Sequence, residues 1–179
     1  MNSGFGKKKA VFLDRDGVLC EDTDYVTSFE KLHIFGFAKE AIRLIHQKGY
    51  LAIVVTNQSG VARGLMTEEM VIKLNYFLQI QVGVDAIYYC PHLPPDKIEI
   101  PPYHIRCDCR KPEIGMIQKA VDEWNIDLSL SYMVGDRESD IQVGIKSGMK
   151  TVYISEKNEK IADYVCRNVL EFVQSYLED

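Results

Sequence analysis

Six residues in four short runs could do chemistry together: Asp14 and Asp16 in DRDG, Thr56 in TNQSG, Lys111 in CRKP, and Asp136 and Asp140 in GDRESD. Asp14 and Asp16 are two residues apart, so on an extended strand end their side chains leave on the same side. Gly17 lets the backbone turn away tightly behind them. Carboxylates gathered from two such runs repel one another unless a cation sits among them. Hard oxygen ligands with open positions suit Mg2+. A site of this kind would bind a phosphate bridged to the metal. The Thr56 hydroxyl, the backbone around Asn57, Gln58 and Ser59, and the Lys111 ammonium could take the other phosphoryl oxygens. One carboxylate is then free to attack phosphorus. A solitary DxD is as readily a polar turn, but here three further elements accompany it.

A second set has a different chemistry. Cys90 and His92 in CPH, with Cys107 and Cys109 in CDC, supply three thiolates and one imidazole. That is a Cys3His set for tetrahedral Zn2+. Four protein ligands leave no open position for water, so the expected zinc is structural. It would tie together both ends of a long loop, residues 90–110, and fix the backbone just before Arg110 and Lys111.

These side chains need a scaffold to bring them together. Apolar runs rich in β-branched residues predict strands at 9–13, 51–55, 86–89, 132–134 and 151–154, with a last one at 162–165. Helical patterns lie between them. Phe37, Ala41, Leu44 and Ile45 form a stripe ending at Gly49. Thr67 caps a helix running to about Val82. Pro112 suits the first turn of a helix through Trp124, and further helices are expected at 139–147 and 168–177. This alternation predicts an α/β fold: a Rossmann-like parallel sheet with helices on both faces. Ligands bind such sheets beyond the carboxyl ends of the strands, where all four polar runs fall. The 179 residues fit a single domain, 1–179, with a zinc-pinned loop and no room for a large cap domain.

Composition narrows the function classes. With 46% hydrophobic and 26% charged residues, the chain reads as an ordinary soluble domain. A net charge of −5 leaves no basic stripe for nucleic acid. No stretch is long enough for a membrane span, and no apolar leader opens the chain. Clustered cysteines suit a reducing compartment, so a cytoplasmic protein is expected. A compact fold with no apolar stripe left over predicts a monomer. His33, His46 and His104 read as surface or loop residues, and Cys20 as a small apolar filler.

DRDGV after a strand, a Thr after the second strand, a following Lys and GDxxxD resemble the phosphatases of the haloacid dehalogenase superfamily. The resemblance runs from Val11 to about Val165. It implies a Rossmann-like fold and a phospho-aspartyl intermediate. Asp14 would be the nucleophile. Asp16 would protonate the leaving alkoxide and then activate water. Thr56 and Lys111 would hold the phosphoryl group. Mg2+ would be bound by Asp14, the backbone carbonyl of Asp16 and Asp136, with Asp140 behind them orienting Lys111. CPH and CDCRKP together with TNQSGVARG look like the subgroup that holds the heptose bisphosphate phosphatases and the histidinol-phosphate phosphatases. Residues 93–106 separate the two zinc-ligand pairs, a length more like the heptose enzymes. That resemblance implies a small phosphorylated sugar as substrate, D-glycero-D-manno-heptose 1,7-bisphosphate losing its 7-phosphate. Arg110 would recognise the distal phosphate or sugar, Arg137 would sit beside the metal, and Asp22 to Tyr25 would line the rim. Val18 stands where Thr is usual and Cys20 where Asn is frequent; both are expected near the mouth, clear of the catalytic set. The competing readings are a histidinol-phosphate or other small phosphomonoesterase and, in another class, a non-catalytic zinc-organised interaction module.

Overall fold

The computed structural model describes residues 6–96, 98–157 and 161–178. Six strands form one all-parallel sheet: β1 (Lys9–Leu13), β2 (Tyr50–Asn57), β3 (Ala86–Cys90), β4 (Tyr132–Gly135), β5 (Lys150–Ile154) and β6 (Tyr164–Cys166), in spatial order β3-β2-β1-β4-β5-β6. The strand order reverses at β1, which is hydrogen-bonded to both β2 and β4. Residues buried on both faces explain why β1 and β2 read as continuous apolar runs rather than alternating ones.

Five α-helices cover the sheet: α1 (Ala38–Gln47), α2 (Glu68–Val82), α3 (Gly115–Trp124), α4 (Glu138–Lys146) and α5 (Val169–Ser175). On one face, Ile42 and Ile45 of α1, Leu74 and Leu78 of α2, and Phe172 of α5 pack on Val11, Leu13, Val54 and Val134. On the other, Met116, Ile117 and Ala120 of α3 and Val143 of α4 pack on Phe12, Ile53, Val55 and Met133. The expected caps form. Thr67 accepts from the Met70 N–H at 3.2 Å, and Gly49 takes the left-handed conformation (φ 78°) just past α1.

Three expectations need correction. The third helix begins at Gly115, not Pro112. Asn57 pins Lys111 instead: its Oδ1 accepts from the Lys111 N–H at 3.0 Å, and its Nδ2 donates to the Lys111 carbonyl at 3.1 Å. The Gly115 N–H, which a helix from Pro112 would aim at the Lys111 carbonyl, donates to the Asp108 carbonyl at 2.8 Å. The last strand lies at 164–166 rather than 162–165. An apolar stripe is also left over, since Ile72, Tyr76 and Ile80 on α2 are all more than half exposed. Their i, i+4, i+8 spacing puts them on one face. Among the described residues no helix is long and apolar enough to cross a membrane.

Candidate active site

Sheet register decides what meets at the carboxyl ends. Leu13 pairs with Val54 on one side and Val134 on the other. Asp14, Thr56 and Asp136 therefore emerge at neighbouring points on one rim, and the Asp14 N–H donates to the Val134 carbonyl at 2.9 Å. The backbone turns sharply at Gly17 (φ 79°), and a Cβ there would lie 2.0 Å from Asp136 Oδ2. Only glycine lets these two loops close on each other.

Lys111 stands at the centre and is almost wholly buried. Its Nζ lies 2.6 Å from Asp140 Oδ1 and 3.0 Å from Asp14 Oδ2, and it donates to the Val55 carbonyl at 2.7 Å. Burial opposes its charge, but Asp14 and Asp140 outweigh burial and hold its pKa above the usual lysine value. Asp140 also accepts from the Arg137 N–H at 3.1 Å through Oδ2, which fixes the start of α4. Asp140 thus joins the Lys111 ammonium to the helix behind it.

The carboxylates are under electrostatic stress. Burial lifts the Asp14 carboxyl to about 7 against the pull of Lys111, with Asp140 and Asp16 adding to the rise. Burial, helped by Asp140, pushes Asp136 up to about 6. Asp14, Asp136 and Asp140 each offer an oxygen within 4.8 Å of the others, and Asp136 Oδ1 is buried with no hydrogen-bond partner. An orphaned buried carboxylate oxygen amid repelling neighbours is the environment a divalent cation relieves. The donor set fits Mg2+.

Asp16 is handled differently. Arg15 Nε donates to its Oδ1 and Arg15 Nη2 to its Oδ2, both at 3.0 Å. Gln58 Nε2 donates to the same Oδ2 at 2.9 Å and to Thr56 Oγ1 at 2.9 Å. Burial would raise Asp16, but the Arg15 charge and its hydrogen bonds outweigh it and hold the carboxyl below its usual range. Two carboxylates two residues apart are thus pushed in opposite directions. Cys20 and Val18 lie deep rather than at the mouth, at 0% and 1% exposure. Cys20 Sγ is 3.3 Å from Asp16 Oδ1, so this departure does touch the catalytic set.

A cavity of about 170 Å3 opens above these groups, bordered by Asp14, Asp16, Asp22, Tyr25, Thr56, Asn57, Gln58, Ser59, Arg110, Lys111, Arg137 and Ser139. Most of the residues expected at the rim therefore lie around one space, while Asp136, Asp140 and Thr23 do not border it. Several are already engaged. Arg137 is ion-paired with Asp22 across the mouth, and Arg63 lies over the Tyr25 ring at 5.9 Å. Gln58 spends its amide on Asp16, Thr56 and Arg15. Arg110 Nη1 donates to the His92 carbonyl at 3.1 Å. Arg15 and Asn75 were not singled out by the sequence. Arg15 is hidden as the middle residue of DxD; Asn75 had a signal, since it is a polar residue on the buried face of α2 beside Val71, Leu74 and Leu78.

The four zinc candidates, spread from Cys90 to Cys109, converge at the end of β3. Sulfur–sulfur separations are 3.1 Å for Cys90–Cys109, 3.4 Å for Cys107–Cys109 and 3.6 Å for Cys90–Cys107. His92 Nδ1 is 3.3 Å from Cys109 Sγ and 3.6 Å from Cys90 Sγ. A tetrahedron with Zn–S of about 2.3 Å and Zn–N of about 2.0–2.1 Å has edges of roughly 3.6–3.8 Å. These separations are too long for a disulfide and close to those edges, so the set fits Zn2+ with Nδ1 as the imidazole ligand. The loop then reaches α3 directly: the Gly115 N–H donates to the Asp108 carbonyl at 2.8 Å, and a Cβ on Gly115 would lie 2.6 Å from that oxygen. Two of the other histidines have partners of their own. His46 Nε2 is 2.9 Å from Asp85, and His104 Nε2 is 2.6 Å from the Ala62 carbonyl.

A HAD-hydrolase-like family model matches residues 108–171. The D-glycero-beta-D-manno-heptose-1,7-bisphosphate 7-phosphatase of Haemophilus ducreyi is 41% identical, with 93% of this chain and 97% of that protein covered. The chain belongs to the heptose-bisphosphate phosphatase family of HAD-like hydrolases. The D-glycero-alpha-D-manno-heptose-1,7-bisphosphate 7-phosphatase of Campylobacter jejuni is 35% identical over 96% of this chain and 98% of its own length. Among solved structures, the D,D-heptose 1,7-bisphosphate phosphatase of B. bronchiseptica, complexed with magnesium and phosphate, superposes with a TM-score of 0.78 at 27% identity. It covers 93% of this chain and 96% of its own. Heptose-bisphosphate phosphatases thus share the fold over nearly the whole of both chains.

Proposed function

We propose that this protein is a Mg2+-dependent phosphatase that removes the 7-phosphate of D-glycero-D-manno-heptose 1,7-bisphosphate through an aspartyl-phosphate intermediate. The observation that carries the reading is the place of two neighbouring carboxylates on one cavity. Asp14 lies with Asp136 and Asp140 around a space suited to a cation, 3.0 Å from the buried Lys111 ammonium, as a nucleophile beside a metal would. Asp16 borders the same cavity outside that cluster, held by Arg15 and Gln58.

Mg2+ held by Asp14, Asp136 and the backbone carbonyl of Asp16 would neutralise phosphoryl charge and keep Asp14 ionised. Asp14 attacks phosphorus and the bond from phosphorus to the sugar oxygen breaks. Asp16, which must take up a proton against the hold of Arg15 before each turnover, gives that proton to the oxygen as it leaves. Lys111 and the Thr56 hydroxyl hold the phosphoryl oxygens, where charge develops in every turnover. Asp16, now ionised, takes a proton from water, which attacks the aspartyl phosphate, releasing inorganic phosphate and restoring Asp14. Asn57, Gln58 and Ser59 shape the phosphate side of the cavity, while Asp22, Tyr25, Arg110 and Arg137 face the rest of the sugar. Zn2+ on Cys90, His92, Cys107 and Cys109 is structural, since four protein ligands fill its tetrahedron. Free cysteines and a thiolate zinc site support a cytoplasmic protein.

Phosphate release should be measured with both anomers of the heptose 1,7-bisphosphate, with histidinol phosphate and with p-nitrophenyl phosphate, each with and without Mg2+. A kcat/KM for one heptose anomer well above histidinol phosphate, and no turnover without Mg2+, is the expected result. Preference for histidinol phosphate would move the substrate assignment. Absence of all turnover with zinc and Mg2+ present would favour the interaction-module reading.

A further inference from the structure

The largest fully buried side chain in the protein is a charged one, Arg15, at 0% exposure. Burying an arginine is costly unless every donor is met. Two of its nitrogens clamp the Asp16 carboxylate. Nη2 also donates to Gln58 Oε1 at 3.0 Å, and Nη1 donates to Asn75 Oδ1 at 2.9 Å. Asp16 and Gln58 belong to the motif loops, but Asn75 comes from the middle of α2, sixty residues away.

Asn75 is poorly suited to that place on local grounds. Asparagine is a weak helix former, and here it is 5% exposed among Val71, Leu74 and Leu78. Its Nδ2 is buried with no hydrogen-bond partner. An unsatisfied buried donor is a standing cost. Against it stands one interaction, the acceptor offered to Arg15. Local rules broken in this way with a single compensating contact mark a functional constraint.

We propose that Asn75 is a positioning residue for Asp16, acting through Arg15. By fixing the far nitrogen of the guanidinium, Asn75 sets the plane of the fork and hence where the Asp16 carboxylate stands above the cavity. The inference rests on the reading of Asp16 as the proton carrier, and deepens it. Without the Asn75 acceptor, Arg15 would turn to seek another partner and Asp16 would turn with it.

Protonation of the leaving group matters for an alkoxide and hardly at all for dinitrophenolate, and kcat/KM reports formation of the aspartyl phosphate alone, before the hydrolysis step that both substrates share. Leaving-group dependence of kcat/KM therefore separates a misplaced proton carrier from general damage. Three variants should be compared with wild type on the heptose bisphosphate and on 2,4-dinitrophenyl phosphate: Asp16→Asn, Asn75→Leu and Asn75→Asp. Asp16→Asn sets the full size of the split, ~10²–10⁴-fold for a general acid. Asn75→Leu, with the same number of side-chain heavy atoms and a better helix former, should lower kcat/KM for the sugar phosphate by ~10–100-fold, since small misplacements carry losses of that order. It should alter kcat/KM for the dinitrophenyl ester by less than about threefold. Asn75→Asp keeps the acceptor at the same atom and should restore most of the loss. Equal losses on both substrates, or no recovery in Asn75→Asp, would overturn the proposal. A crystal structure of Asn75→Leu reads the same point without a substrate: the Asp16 carboxylate should leave its bidentate position, and a carboxylate still clamped by Arg15 would count against Asn75. If Asp16→Asn shows no split, the proton-carrier reading falls, while the crystal structure still decides the positioning claim.

Discussion

The rim of the sheet and the zinc loop place side chains with the same accuracy by opposite means. At the rim, six hydrogen-bonded strands fix the backbone, and the side chains that emerge there are charged, buried and mutually repelling. In the loop, the described residues from 91 to 114 lie outside named strands and helices, and three sulfurs and one imidazole nitrogen converge between its ends. The rim has scaffold in surplus and can carry electrostatic strain. The loop has one isolated bridge, Ile100 to His104, and the proposed zinc would supply the rest. The two meet at Arg110 and Lys111, adjacent in the chain but held by different regions.

The comparison is tested most severely at Asp14. Because strain at the rim belongs to chemistry rather than to folding, Asp14→Asn should abolish turnover on every substrate while leaving the fold and zinc content intact. Removing one of three crowded carboxylates should even raise Tm in the absence of Mg2+, since repulsion is relieved. Circular dichroism, zinc analysis and phosphate release on one preparation check this. More than a small residual rate would end the aspartyl-phosphate mechanism for this protein.

Lys111 is the next largest. It neutralises Asp14 and Asp140 at 3.0 and 2.6 Å from a nearly inaccessible position. Lys111→Ala should cripple the heptose bisphosphate and p-nitrophenyl phosphate alike. It should also destabilise the Mg2+-free protein by ~3–5 kcal/mol, the usual cost of leaving a buried charge without its partner. Added Mg2+ should recover part of the stability and none of the activity. A variant as stable as wild type without Mg2+ would show that Lys111 is not what holds the carboxylates together.

How legible these regions were in the sequence follows from the same contrast. Motifs at strand ends are readable because register carries them to one rim; with Leu13, Val54 and Val134 paired, Asp14, Thr56 and Asp136 have nowhere else to go. The zinc set was readable from residue type alone, since few arrangements of three cysteines and a histidine have another use. What the sequence hid depends on side-chain reach. Arg15 reads as a turn residue, yet its fork crosses the core to Asn75 on α2. Cys20 reads as filler near the mouth, yet its sulfur lies against Asp16. Pro112 reads as a helix start, but the Asp108 carbonyl takes the Gly115 N–H that would close its first turn, and α3 begins at Gly115. The exposed face of α2 was missed because polar residues are scattered round that helix, with Lys73 and Gln81 standing among Ile72, Tyr76 and Ile80, so no wholly polar side sets them off.

Breaking the loop should have a smaller and differently shaped effect. Cys107→Ser removes one thiolate, so zinc content should fall well below one per chain. The Tm should drop by roughly 5–15 °C, at ~2–4 °C per kcal/mol for a domain of this size. Activity should fall partially and on both substrates, because Lys111 remains pinned by Asn57 whatever the loop does. Mild chelation that strips Mg2+ should leave the zinc in place. Fully active wild-type protein purified without zinc would show that the loop needs no metal.

The smallest effect belongs to the residue between the two regions. Lys111 serves the phosphoryl group being transferred, whatever else the substrate carries. Arg110 follows the zinc ligand Cys109 directly, and its Nη1 donates to the carbonyl of His92, another ligand. Its position is therefore set by the loop, while its fork borders the catalytic cavity. A planar guanidinium suits a second phosphate, bidentately, better than a lone hydroxyl. Arg110→Ala should raise KM for the heptose bisphosphate by the worth of a charge-assisted bond, ~1.5–3 kcal/mol or roughly tenfold and more, with kcat little changed. It should scarcely affect p-nitrophenyl phosphate, which has no distal group to hold. Cys107→Ser should reproduce part of that KM shift, because a slack loop misplaces the same fork. If Arg110→Ala costs both substrates equally, the residue serves the chemistry at the rim. The zinc loop would then have no separate part in choosing the substrate.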